Sequence, residues 1–68
     1  MKRKELYLKV LEYIKLYPSL KNEMLDLFHL ANDEILEGGS EVHECELALS
    51  EIEDLITDLK KTQNETKI

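Results

Sequence analysis

The chain has 68 residues, a net charge of −6 at neutral pH and a single cysteine. This length allows one domain at most, whose core rarely supplies more than about 3–5 kcal/mol without a cross-link or a partner. One cysteine cannot close a disulfide within the chain, and no spaced set of cysteines and histidines indicates structural zinc. Charged residues interrupt every apolar run, so we expect no signal peptide, no membrane contact and a cytoplasmic protein.

The first half of the chain predicts two helices. Leucine, glutamate and lysine dominate the composition, which favours helix over strand. A first helix is expected over about 2–17, because Pro18 forces the residue before it out of the helical region. A second helix is expected over about 19–37, opening at Pro18 or Ser19.

The segment after residue 37 predicts a tight turn and a third helix. Gly38 is suited to the left-handed position that ends a helix, and Gly39 allows the chain to reverse. Ser40 is a favourable N-cap for a third helix over about 41–62. Residues 1–62 should therefore form a single helical domain, with a flexible tail over 63–68. Replacing Gly38 by alanine is expected to cost more stability than replacing Gly39.

Each predicted helix carries apolar residues on one face, which predicts an all-α fold. The expected architecture is a small three-helix bundle, in which helices 2 and 3 form a long antiparallel hairpin beside the N-terminal helix. Cys45 lies within the apolar face of helix 3 and is expected to be a small buried side chain. The predicted core faces are Leu6, Tyr7, Val10, Leu11, Tyr13, Ile14 and Tyr17; Leu20, Met24, Leu27, Phe28, Ala31 and Ile35; and Val42, Cys45, Ala48, Leu49, Ile52, Leu55, Ile56 and Leu59.

Four further leucines lie off these faces and predict self-association. Leu8 and Leu16 lie off the main face of helix 1, and Leu25 and Leu36 form a second row on helix 2. Because the core is small, we interpret these four as a second buried surface, most simply in a symmetric homodimer. The alternative is an extended hairpin whose first helix swings out as a dimerisation arm, so helix 1 packs either on its own hairpin or on a partner chain.

No motif in the chain indicates a reaction or a cofactor. His43 and Cys45 point in nearly opposite directions on a helix, and Asp26 with His29 supplies one carboxylate–histidine pair where a di-iron bundle needs two. We therefore expect a protein that is not an enzyme, with no catalytic residue, no metal and no other cofactor.

The charges are strongly segregated along the chain. Residues 22–59 contain twelve acidic residues and no lysine or arginine, whereas residues 1–21 contain six basic residues and two acidic ones. Direct nucleic-acid binding through the acidic hairpin is disfavoured, because its charge has the wrong sign. The acidic face is instead expected to meet a basic protein surface.

Two leucines surrounded by carboxylates, Leu30 and Leu47, suggest where such a partner binds. The predicted function is a small acidic adaptor or inhibitor, of a size and charge suited to an accessory protein of a phage or mobile element. The alternative is a nucleic-acid mimic whose carboxylates imitate phosphates, and a small enzyme or metal-binding bundle is a distant third. The predicted partner-binding residues are Leu30, Asp33, Glu34, Glu44, Leu47, Glu51, Asp54 and Asp58.

Overall fold

A computed structural model describes the backbone of residues 1–66 and the side chains of residues 1–62. Over this part, the chain forms three α-helices, α1 (Arg3–Leu16), α2 (Lys21–Leu36) and α3 (Glu41–Thr66), and a 3₁₀ turn at Pro18–Leu20 that leads into α2. The predicted all-α three-helix fold is confirmed. The helical backbone continues to Thr66, beyond the end expected near residue 62. Residues 67 and 68 of the predicted tail lie outside the described residues.

The three helices pack as an up-down-up bundle. Near the start of α1, Arg3 contacts Asn32 of α2 and Glu41 of α3. Farther along α1, Tyr13 contacts Glu53 of α3. Helix α1 therefore runs antiparallel to α2 and parallel to α3, and it packs on the hairpin of its own chain rather than swinging away from it.

The core receives side chains from every helix and from the 3₁₀ turn. Cys45 is fully buried, as predicted, and burial raises the pKa of its thiol, which favours the protonated form. Three residues that the sequence assigned to the core are instead exposed at the surface: Tyr7 (43%), Leu11 (37%) and Val42 (48%). The buried core consists of Leu6, Val10, Leu20, Met24, Ala31, Cys45, Ala48, Ile52 and Ile56.

Helix α2 ends in a two-glycine turn of the Schellman type. Gly38 has a φ of +109°, and its N–H donates to the carbonyl of Ile35 at 3.1 Å. The N–H of Gly39 donates to the carbonyl of Glu34 at 2.8 Å. These two bonds satisfy carbonyl groups that the end of a helix leaves unpaired. Ser40 then caps α3, although the bond from the His43 N–H to its Oγ is long, at 3.4 Å.

A polar contact between Arg3 and Glu41 holds the start of α1 against the hairpin. The backbone N–H of Arg3 donates to Glu41 Oε2 at 2.9 Å, and Arg3 Nε lies 3.6 Å from the same oxygen. Arg3 Nη1 also donates to Asn32 Oδ1 at 3.0 Å. Lys2 provides no side-chain cap for α1, so the Glu41 carboxylate satisfies an N–H that its own helix leaves free. This backbone hydrogen bond, reinforced by the charge of Arg3, lowers the pKa of Glu41.

The two glycines should both resist substitution, for different reasons. Gly38→Ala places a side chain at a positive φ and should cost on the order of 1 kcal/mol of unfolding free energy. A Cβ on Gly39 would lie 2.8 Å from the carbonyl oxygen of Glu34, so Gly39→Ala should also destabilise the turn. The expectation that Gly38→Ala costs more than Gly39→Ala stays a prediction. Thermal unfolding should show both losses, with Glu37→Ala as the control, and wild-type stability for both glycine variants would contradict the turn.

The Arg3–Glu41 contact should make stability depend on pH. Because folding lowers the pKa of Glu41, its contribution is present above the ordinary pKa of a glutamate and is lost as the pH falls through the lowered value. Glu41→Gln should therefore be less stable than wild type at neutral pH, and the difference should close in acid. Denaturant unfolding across this range measures the difference. An equal difference at every pH would contradict the carboxylate contact, and exposed Glu46→Gln provides the control.

Candidate protein-binding groove

The packing of α2 against α3 leaves a shallow groove on the outside of the hairpin. It has a volume of about 250 Å³ and takes its lining from these two helices, so we name it the acidic groove. Two small buried side chains, Ala31 and Ala48, allow the helices to approach and leave a depression between them. The lining residues of the acidic groove are Leu27, Leu30, Ala31, Glu34, Glu44, Leu47, Ala48 and Glu51.

Two leucines flank the depression without filling it. Leu30 of α2 is 61% exposed and Leu47 of α3 is 46% exposed, although both line the groove. Together with the half-buried Leu27, they provide apolar surface that water covers in the isolated chain. Burying one such leucine fully against a partner is worth roughly 1.5–3 kcal/mol.

Three carboxylates surround this apolar surface. Glu34 precedes the turn between the helices, Glu44 follows it, and Glu51 lies two helical turns farther along α3. No lysine or arginine occurs between Asn22 and Leu59, so the stretches of α2 and α3 that form the groove contain no basic residue of either type. The groove therefore combines exposed leucines with a negative potential that favours basic partners.

The structure brings five of the eight predicted partner-binding residues into this groove. Asp33 is exposed but is not part of the lining, whereas Asp54 and Asp58 continue the Glu44–Glu51 row along α3. Leu27, Ala31 and Ala48 also line the groove, although their positions on the apolar faces predicted only a role in the core. Facing alanines in both helices of the predicted hairpin were the available signal for a depression there. The five that meet are Leu30, Glu34, Glu44, Leu47 and Glu51.

The four leucines predicted to form a dimer surface occupy different environments. Leu16 is 68% exposed and lines a second depression, between the end of α1 and α3. Leu25 is partly buried and packs against the core. Leu8 and Leu36 are 53% and 71% exposed, on α1 and at the end of α2. Their role in self-association stays a prediction.

Three tyrosines hold α1 against the hairpin; two lie on α1, and Tyr17 directly follows its last residue. The ring of Tyr7 packs against Phe28 with 5.3 Å between centroids, and Lys60 Nζ lies 5.9 Å from the centre of the Tyr17 ring. The Tyr13 hydroxyl donates to Glu53 at 3.3 Å. Partial burial and the neighbouring Glu53 charge raise the pKa of Tyr13. These contacts give the three rings a structural role.

One histidine lies on α2 and the other on α3. His29 and His43 are both exposed. Among residues that the structure describes, no three histidine, cysteine or acidic side chains are grouped as a metal site would require. None of the described helices is both long and apolar enough to span a membrane.

No protein-family model matches this chain, and no curated protein and no solved structure matches it significantly. Function is therefore inferred from the geometry and charge of the molecule itself.

The groove leucines should contribute little to folding. Leu30→Ala and Leu47→Ala remove exposed side chains, so each should change the unfolding free energy by less than about 1 kcal/mol. Leu6→Ala is the matched control, because the same substitution at a fully buried position should cost about 2–5 kcal/mol. Denaturant unfolding compares the three variants. Losses at Leu30 or Leu47 as large as that at Leu6 would show that these leucines belong to the core.

Proposed function

We propose that this protein is a small acidic adaptor or inhibitor that binds a basic surface of another protein through the acidic groove. The observation that carries the proposal is the placement of exposed Leu30 and Leu47 among Glu34, Glu44 and Glu51. In this mode, the partner inserts an apolar side chain between the two leucines while its lysines or arginines contact the carboxylates.

Apolar and charged groups would have separable roles in this binding. Desolvated apolar anchors supply most of the affinity of a protein interface and govern the rate of dissociation. Surrounding charges mainly accelerate association and reject partners of the wrong sign. The arrangement of the acidic groove supports such a division, because its leucines lie between its carboxylates.

This pattern favours an adaptor over a nucleic-acid mimic. A mimic requires a long row of carboxylates, and no single apolar residue within it is essential. The row formed by Glu44, Glu51 and Asp58 satisfies part of that requirement. However, Leu47 lies within the same row and is solvent-exposed, which suits an apolar anchor better than a phosphate mimic.

Capture from an extract of the native host identifies the partner. Tagged wild-type protein and the Leu30→Ala/Leu47→Ala variant should be compared by quantitative mass spectrometry. Leu36→Ala is a matched control, because it removes an exposed leucine that does not line the groove. We expect one basic partner that is retained by the control and depleted with the groove variant. The contrary result is that all variants capture the same nucleic-acid-binding proteins equally and that added DNA displaces these proteins. That result would contradict the adaptor and favour the mimic.

Binding kinetics with the captured partner test the two roles. The leucine variant should dissociate faster, by roughly 1–2 kcal/mol for a lost anchor, or roughly five- to thirtyfold. Glu44→Gln/Glu51→Gln should instead slow association and weaken its dependence on salt. Normal dissociation from the leucine variant, with loss of binding in the charge variant alone, would overturn the proposal.

A further inference from the structure

One edge of the acidic groove follows a regular pattern along α2. Glu23, Leu27, Leu30 and Glu34 are separated by four, three and four residues, which places them in one row on the surface of a helix. The last three line the groove, and Glu23 is exposed one turn before them. We name these four residues the acidic stripe.

Helix α1 carries the same pattern with the opposite charge. Lys4, Leu8, Leu11 and Lys15 are also separated by four, three and four residues. All four are exposed, and the two leucines retain 53% and 37% of their accessible surface. We name these residues the basic stripe.

We propose that the basic stripe of one copy of this chain docks into the acidic groove of a second copy. The inference rests on the groove of the proposed function and names a second copy of this chain as the occupant of that groove. Both stripes place two leucines between two charges, and the charges are eleven residues, or about 16 Å, apart in each. The leucines of α1 would cover Leu27, Leu30 and Leu47, while its lysines pair with Glu23 and Glu34.

The contact would generate a head-to-tail assembly rather than a reciprocal dimer. On α1, Leu8 points about 160° away from the fully buried Leu6, so the basic stripe faces out of the bundle. Phe28 and Asn32 of α2 contact α1, and Leu30 points about 160° away from both, so the acidic groove faces away from α1. Since the two surfaces lie on opposite sides of the molecule, each copy can bind one neighbour through each surface. A contact between two different surfaces forms rings or open chains.

Charge exchange between the stripes tests this contact directly. Lys4→Glu/Lys15→Glu makes the basic stripe acidic, and Glu23→Lys/Glu34→Lys makes the acidic stripe basic. Lys9→Glu/Lys21→Glu, at exposed positions outside the stripe, controls for net charge. Circular dichroism confirms that each variant is helical, and sedimentation equilibrium measures its mass across micromolar to millimolar concentrations.

We expect the average mass of wild type to rise from 8.0 kDa as the concentration increases. The Lys9→Glu/Lys21→Glu control should show the same increase. Each stripe variant alone should remain at the monomer mass, because its two surfaces then repel. An equimolar mixture of the two variants should regain the wild-type increase, because each supplies the surface that suits the other. Wild type that stays monomeric, or a mixture that stays monomeric while wild type assembles, would overturn the inference.

The outcomes separate this inference from the proposed function. Monomeric wild type whose groove leucines are still required for partner capture would remove the self-assembly and leave the proposed function intact. Recovery of assembly in the mixture, with no effect of the groove leucines on capture, would support the self-assembly and remove the proposed function.

Discussion

A chain of this size cannot bury all of its leucines, and this constraint determines the surface of the molecule. Among the side chains that the structure describes, nine are buried in the core, and two of them are the alanines at the contact between α2 and α3. Those alanines bring the helices together but are too short to fill the space outside the contact. Leu30 and Leu47 therefore remain exposed beside the depression. The groove is thus a direct consequence of how the small core is packed.

Charge segregation gives that apolar groove its selectivity. Leucines alone would attract any apolar surface, including those of misfolded chains. Carboxylates on the rim disfavour acidic partners and attract basic ones, because a like charge brought into a desolvated contact is costly. The part of the hairpin that forms the groove, within residues 22–59, contains no lysine or arginine that would neutralise this field. Four of the nine lysines and arginines lie on α1, where Arg3 binds Glu41 and the basic stripe faces outward.

Local patterns in the sequence predicted the helices and the turn, but they did not predict which side chains contact one another between helices. Periodicity placed the three helices, and the glycine pair marked the end of α2, because both are local properties. The same periodicity placed Tyr7, Leu11 and Val42 in the core. Periodicity identifies the apolar face of a single helix. It does not show how much of that face the neighbouring helices bury. The Arg3–Glu41 contact spans 38 residues and has no local signature.

For the binding site, the sequence predicted the exposed leucines and their acidic surroundings. It also placed Asp33 in the same set, because Asp33 is next to Glu34 in the sequence. The sequence alone does not reveal which of these two neighbours lies on the side of α2 that faces α3. The most direct test of the acidic groove is an NMR titration of the labelled protein with a helical peptide carrying the Lys–Leu–Leu–Lys spacing of the basic stripe. A peptide of the same composition with its leucines displaced from that row is the control. Saturable shifts are expected at the groove amides, including Leu30 and Leu47, with the patterned peptide alone. Equal shifts with both peptides, spread over the acidic surface, would contradict binding in the acidic groove.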